Sequence, residues 1–390
     1  MKSNYKSIGE LVERIDQRNI DGGVTNLIGV SIDKKFINSV ANVIGTDLTK
    51  YKVIEKYDFA VSLMQVSRDE KIPVACQKEY DKAIMSPAYP IFRVKDTNVI
   101  LPEYLEMWFM RPEFDREASF IAVGGVRGSM PWDDFANMKL PVPPIEEQRK
   151  IVQAYKTITN RIELKKKINN NLVAVGVSSI QKNIGNSALI NLTEFDIDKL
   201  ILPENFKIKT IVDYCIETKS GATPSRTNND FWDNGVIAWV KSGEVHNNIT
   251  ISTEEHITQN GLEGSSTKLL PADTVLMAMY GVTAGEVGYL AIEATTNQAI
   301  CGMICNSKAE AAYLYFSLIQ SQDAISRLSN GGAQDNLSKN FIDNIKLIVP
   351  PIEFIENLNL SALIEQMTLN TREISLLEEL QATALAQLSR

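Results

Sequence analysis

Histidine and cysteine are scarce in this 390-residue sequence: two of the first and four of the second. The histidines, His246 and His256, lie in polar stretches with no ligand-like companions, so both read as surface residues. Cys76, Cys215, Cys301 and Cys305 offer neither a disulfide framework nor paired metal-binding spacings, so they read as free thiols. No apolar run approaches the ~18–20 residues that a membrane span needs. The opening Met1-Lys2-Ser3-Asn4-Tyr5-Lys6 has no apolar stretch behind it, so no secretory leader is expected and the cytosol is the default location. Basic residues are outnumbered, 40 to 48, giving a net charge of −8. That balance argues against a nucleic-acid partner unless the charge is unevenly distributed.

Enzyme signatures are missing too. There is no Gly-x-x-x-x-Gly-Lys phosphate loop. Gly281-Val282-Thr283-Ala284-Gly285-Glu286-Val287-Gly288 is glycine-rich, but no lysine follows and no helix opens there, so a hairpin or loop is expected. No cofactor motif is found, and no catalysis is expected of this chain alone.

What the chain does have is a repeat. Met138-Lys139-Leu140-Pro141-Val142-Pro143-Pro144-Ile145-Glu146 recurs as Ile345-Lys346-Leu347-Ile348-Val349-Pro350-Pro351-Ile352-Glu353, with seven of nine positions identical and an offset of 207 residues. An offset near half the chain signals a duplicated domain rather than a solenoid, whose units run ~20–50 residues. Weaker anchors continue it. Tyr104-Leu105 corresponds to Tyr313-Leu314, Gly124-Gly125 to Gly331-Gly332, and Lys6-Ser7-Ile8 to Lys209-Thr210-Ile211.

Both Pro-Pro pairs precede helical patterns. Proline suits the residues just before a helix, and Glu146-Glu147 then meets the positive end of the helix dipole. The first pattern runs from about Ile145 to about Val175, with Ile151, Ala154, Ile158, Arg161, Lys165, Ile168, Leu172 and Val175 at 3-4 spacing. The second runs from Ile352 to the C-terminus through Leu360, Leu363, Met367, Asn370, Ile374, Leu377, Gln381, Ala384 and Leu388. Both are imperfect coiled-coil seams, whose polar members weaken packing but fix register. Residues 145–172 carry seven bases and three acids; residues 352–390 carry two bases and six acids. Opposite charge suggests that the helices pair, antiparallel, about a pseudo-twofold axis. Upstream of each lie short strand-like runs, among them Val53-Ile54, Phe59–Met64, Val236–Val240 and Thr274–Met279. The boundaries read as domain 1–144, helix 145–180, domain 181–351 and helix 352–390. The fold class is α+β, two tandem α/β domains each followed by a long helix.

Polar loops of small residues are the candidate contacts to DNA. Hydroxyls and backbone amides suit phosphates; Asn, Gln, Lys and Arg suit base edges. In the second half these are Thr223, Ser225 and Arg226; Lys241 and Ser242; Ser265 and Ser266; Tyr280 and Thr283; Asn297 and Gln298; and Gln334, Asn336, Ser338 and Lys339. In the first half they are Lys34, Lys35, Ser86, Arg127 and Ser129, with weaker support.

With these elements in place, the chain resembles the DNA-specificity (S) subunit of type I restriction–modification enzymes. The resemblance rests on the tandem halves, the Lys-Leu-x-Val-Pro-Pro-Ile-Glu junctions and Gln148-Arg149-Lys150-Ile151-Val152. In the second half it rests on Ser220-Gly221-Ala222-Thr223-Pro224-Ser225, Phe231-Trp232, Ile237-Ala238-Trp239-Val240 and Gly331–Ser338. It implies two target-recognition domains, each reading half of a bipartite double-stranded DNA site, and an antiparallel helical spacer. It implies no cofactor on this chain. Two modification subunits would bind S-adenosylmethionine and methylate adenine, and restriction subunits using ATP and magnesium are further partners. After the second junction stands Phe354-Ile355-Glu356-Asn357, a departure from the family pattern on a surface expected to dock a modification subunit. A subunit serving methylation only, and a scaffold of two non-DNA ligand-binding domains on a coiled coil, remain alternatives.

Overall fold

The computed structural model describes residues 4–39, 46–125, 128–185, 188–189, 202–246, 249–330 and 336–388. Two compact units emerge: Met1–Ile162 with Leu377–Arg390, and Glu163–Leu376. The division falls inside both long helices, whereas the sequence reading put whole helices outside the globules.

In the first unit Tyr5–Ser7 pairs antiparallel with Lys139–Pro141. A four-stranded antiparallel sheet follows in the order Val12–Ile15, Ile91–Val94, Phe59–Val61, Val74–Cys76. Its inward side chains meet the helices Pro102–Phe109, Pro112–Ile121 and Trp132–Asn137 in an aromatic core, where Phe59 stacks on Phe92 at 5.2 Å and Phe109 packs on Phe114 at 5.0 Å. Two smaller strand pairs, Ile28–Val30 with Phe36–Asn38 and Lys52–Glu55 with Lys82–Met85, enclose a separate aliphatic core.

The second unit repeats the frame. Lys207–Thr210 pairs antiparallel with Lys346–Val349. The Ile8 N–H bonds Met138 O at 2.9 Å, and Ile211 N–H bonds Ile345 O at 2.9 Å. Buried Tyr104 donates its hydroxyl to Pro141 O, as buried Tyr313 does to Ile348 O. Each such bond ties a helix to the strand that leads into Pro-Pro. The middles diverge. Here a five-stranded sheet runs Glu217–Ser220, Ile300–Ile304, Val275–Ala278, Val287–Leu290, Ile249–Thr250. A three-stranded sheet runs Glu255–Ile257, Ile237–Val240, Thr295–Thr296. The glycine-rich stretch is the hairpin turn between Val275–Ala278 and Val287–Leu290, with Gly281 and Gly285 at φ of 70° and 89°. Such left-handed values favour glycine.

The first long helix is Ile145–Ile184, 40 residues and about 60 Å at ~1.5 Å per residue. It passes the expected end near Val175 because buried Gly176 and Ile180 carry it across the second unit's core. The second arm is two helices, Ile352–Asn357 and Leu360–Gln387, broken where Asn359 takes a φ of 54°. Pairing is antiparallel within the second unit. Lys165 meets Asn370 and Glu373, while Asn169 meets Met367, Asn370 and Thr371. Within the first, Gln381 bonds Thr159 at 2.6 Å and Leu385 and Leu388 enter the core. Asn370, which is 1% exposed, and Gln381 thus spend their amides on hydrogen bonds to the facing helix. The seam differs at three positions. Ala154, Arg161 and Val175 face outward and Tyr155, Ile162 and Gly176 inward, because a 3.6-residue helix drifts from a strict 3.5 repeat.

Candidate nucleic-acid interface

In the first unit Lys34 is not available to a ligand. Its ammonium lies 2.8 Å from Asp115 and donates to Phe109 O, with the side chain only 8% exposed. Burial pushes the ammonium's pKa down, against the opposing pull of Asp115. Lys35, one residue on in the Ile28–Val30 to Phe36–Asn38 turn, is exposed. Lys34 has a φ of 60°, so the turn sends neighbouring side chains opposite ways, which residue type alone does not reveal. Ser86 sits in the turn after Lys82–Met85, where its hydroxyl accepts from Ala88 N. Both turns stand on the same aliphatic core. Arg127 lies outside the described residues, and Ser129 just after it lies within them.

In the second unit the structure gathers Thr223, Ser225, Arg226, Lys241, Asn297 and Gln298 into one loop cluster. Thr223 hydroxyl bonds Gln298 Oε1 at 2.6 Å, and Asn297 N–H bonds Val240 O at 3.0 Å. Two indoles brace the loop. Trp239 Nε1 donates to Ala222 O and Trp232 Nε1 to Ser225 O, each at 3.0 Å. Arg226 lies over both rings, its guanidinium carbon 3.7 Å from the Trp232 centroid and 4.8 Å from that of Trp239. It donates to Glu255, which also lies 3.4 Å from Lys241. Lys241 pairs with Glu254 as well, at 2.5 Å. The Arg226 hydrogen bond, with Lys241 beside it, holds the Glu255 carboxyl below the usual carboxylate range.

The partners Trp232, Trp239, Glu254 and Glu255 were not among the sequence candidates. The Phe231-Trp232 and Ala238-Trp239 pairs were visible, but nothing local tied Arg226 to a carboxylate 29 residues away.

A second cluster surrounds the hairpin tip. Tyr280 bridges to Asn336, whose side chain accepts from Gly281 N at 3.4 Å, and Thr283 bonds Tyr280 O at 3.3 Å. Several other candidates hold the fold together. Ser338 caps the Lys339–Asp343 helix, and Lys339 is engaged by Thr218 at 2.7 Å and Asp343 at 2.6 Å. Ser265 bonds Gly261 O at 2.7 Å, whereas Ser266 is exposed, and Ser242 opens a short 3-10 turn. Gln334 lies outside the described residues. His246 pairs with Glu286 at 2.9 Å. Among the described residues no group of three or more His, Cys, Asp or Glu could hold a metal, and no helix is long and apolar enough to cross a membrane.

The sequence profile of the type I restriction modification DNA specificity domain matches twice, at residues 22–174 and 203–379. The chain belongs to that family. It is similar to the type I restriction enzyme HindI specificity subunit of Haemophilus influenzae, 21% identical with 90% of each chain covered. It is also similar to the EcoR124I/EcoR124II specificity subunit of Escherichia coli, 22% identical over 285 residues, which are 70% of this chain and 65% of that one. The crystal structure of a type I restriction–modification S subunit from M. genitalium shares the fold. Its TM-score is 0.54 at 13% identity, with 99% of this chain and 96% of that one covered.

Each matched domain of this family member runs into its long helix, and there the two copies differ. Gln148 is fully buried. It accepts Leu101 N–H at 3.0 Å and donates to Val99 O and Pro143 O at 2.9 and 2.8 Å. Its counterpart 207 residues on is Ile355, 2% exposed in the second unit's core. The Gln-to-Ile part of the departure at Phe354–Asn357 is therefore an interior exchange, not the surface change expected from sequence.

Proposed function

We propose that this chain is the sequence-specificity subunit of a type I restriction–modification complex, with each specificity domain reading one half of a bipartite double-stranded DNA site. The duplication carries this reading: the specificity-domain profile matches twice, and both copies keep the same strand pair, the same tyrosine bond and the same Pro-Pro exit into a helix. Between those shared anchors the sheets differ in strand number and order, as expected of two readers with different targets. The chain itself performs no catalysis in this reading. Two modification subunits supply S-adenosylmethionine and methylate adenine, restriction subunits supply ATP- and magnesium-dependent cleavage, and the assembly works in the cytoplasm.

The net charge of −8 fits a shared task, in which the partner subunits supply much of the phosphate attraction. The test is methylome sequencing of a host expressing this chain with its modification subunit. The expected result is one methylated motif of two short elements around an unread gap. A contiguous motif, or none, would overturn the reading.

A further inference from the structure

Arg226 is held unusually well for a residue with half its side chain in solvent. Trp232 lies against its guanidinium and Trp239 beside it, the two rings perpendicular with centroids 5.1 Å apart. Both indole N–H groups are spent on the loop that carries Arg226. Glu255 takes a hydrogen bond from Nη1. Stacking occupies the π face of a guanidinium and leaves its in-plane donors untouched. Of five N–H donors, those on Nε and Nη2 form a rigid fork with no acceptor among the described residues. Arginine side chains are rich in rotamers, so such bracing removes much of the cost of ordering one for a ligand.

Charge decides what the fork suits. Two cations, Arg226 and Lys241, face two anions, Glu254 and Glu255. A phosphate gains little from a cluster whose positive charge is already compensated, and the carboxylates repel it. A base edge is neutral. It needs directed donors, and arginine paired to guanine O6 and N7 is the commonest specific major-groove contact.

The geometry points to Arg226 as a guanine reader, its Nε–Nη2 fork donating to O6 and N7 of one guanine in the half-site recognised by the second specificity domain. Trp232, Trp239 and Glu255 are positioning residues. This rests on the proposed function and deepens it by naming one base and the residue that reads it.

The test is selection from a randomised duplex DNA library by the full chain assembled with its modification subunits, in wild-type, Arg226→Lys and Arg226→Ala forms. Lysine keeps the charge but loses the planar fork. The expected result is that one G·C position in one half-site becomes degenerate in both variants. Discrimination there falls roughly 5- to 150-fold, while the other half-site and the thermal midpoint stay unchanged. A uniform loss of affinity with the salt dependence lowered by about one ion would mark a phosphate contact and overturn the assignment. So would a lower melting temperature with the motif intact, which would mark Arg226 as a brace of the loop. A wild-type complex that selects no motif would instead defeat the specificity reading on which the assignment stands.

Discussion

Gln148 accepts the backbone N–H of Leu101 at 3.0 Å, on the residue just before the Pro102–Phe109 helix. Leu101 has no side chain able to cap that helix. In the second copy the corresponding helix, Lys308–Gln320, has Ser307 as a cap accepting from Glu310 N. The buried position after the second Pro-Pro is Ile355, which offers no hydrogen bond. Gln148→Leu should strand Leu101 N–H, Val99 O and Pro143 O, costing about 1–3 kcal/mol for a buried group left unpaired. Ile355→Gln should destabilise by a similar amount for the opposite reason, a buried amide without partners. Thermal unfolding of both variants checks this. Neutrality of either would show that the two junctions are not specialised as described.

Gly176 lies where a Cβ would fall 2.4 Å from the Phe316 ring. Alanine is favoured over glycine inside a helix by about 1 kcal/mol. Overpacking of this kind costs about 1–3 kcal/mol, so Gly176→Ala should be net neutral to destabilising. Adding Phe316→Leu should recover part of any loss, and a double-mutant cycle by calorimetry measures the coupling. A stabilised single variant would contradict the close approach.

Lys34 and Lys35 are adjacent but should behave differently. Lys34→Ala removes the ion-pair partner of half-buried Asp115, which keeps the Ile72 N–H, and should cost about 1–3 kcal/mol of stability. Lys35→Ala should leave stability within about 0.5 kcal/mol. If Lys35 meets a phosphate, its loss should weaken binding evenly across sequences and lower the salt dependence by about one ion. Unfolding curves and salt-titrated binding of each variant separate the two roles.

The two arms offer a ruler experiment. Four residues inserted after Ile162 and four after Leu376 preserve the antiparallel pairing inside each unit. They lengthen each arm by about 6 Å at ~1.5 Å per residue. The unread gap should grow by about two base pairs at ~3.4 Å each. An unchanged gap in the methylated motif would rule out the helices as its determinant.

The legible parts of the fold were those written in contiguous residues. The Pro-Pro junctions, the runs that became Phe59–Val61 and Val275–Ala278, and the two 3-4 helical patterns all announce themselves locally. Pairing across distance did not. Arg226 with Glu255 and Lys34 with Asp115 are joined by folding, and only folding shows that the first keeps a donor edge without an acceptor among the described residues while the second is buried. The helix seams have the period the sequence implies but slip by a residue at Ala154, Arg161 and Val175, because coiled-coil spacing and true helical pitch diverge along the helix. The break at Asn359 was missed because a single left-handed residue leaves no pattern.

The central claim is that each copy reads its own half-site. Its most direct measurement is methylome sequencing of a chimera in which residues 203–349 are replaced by the corresponding segment of another family member. One half-site of the motif should change, while the other half-site and the gap remain. If both half-sites change together, or neither does, the two copies do not read DNA independently.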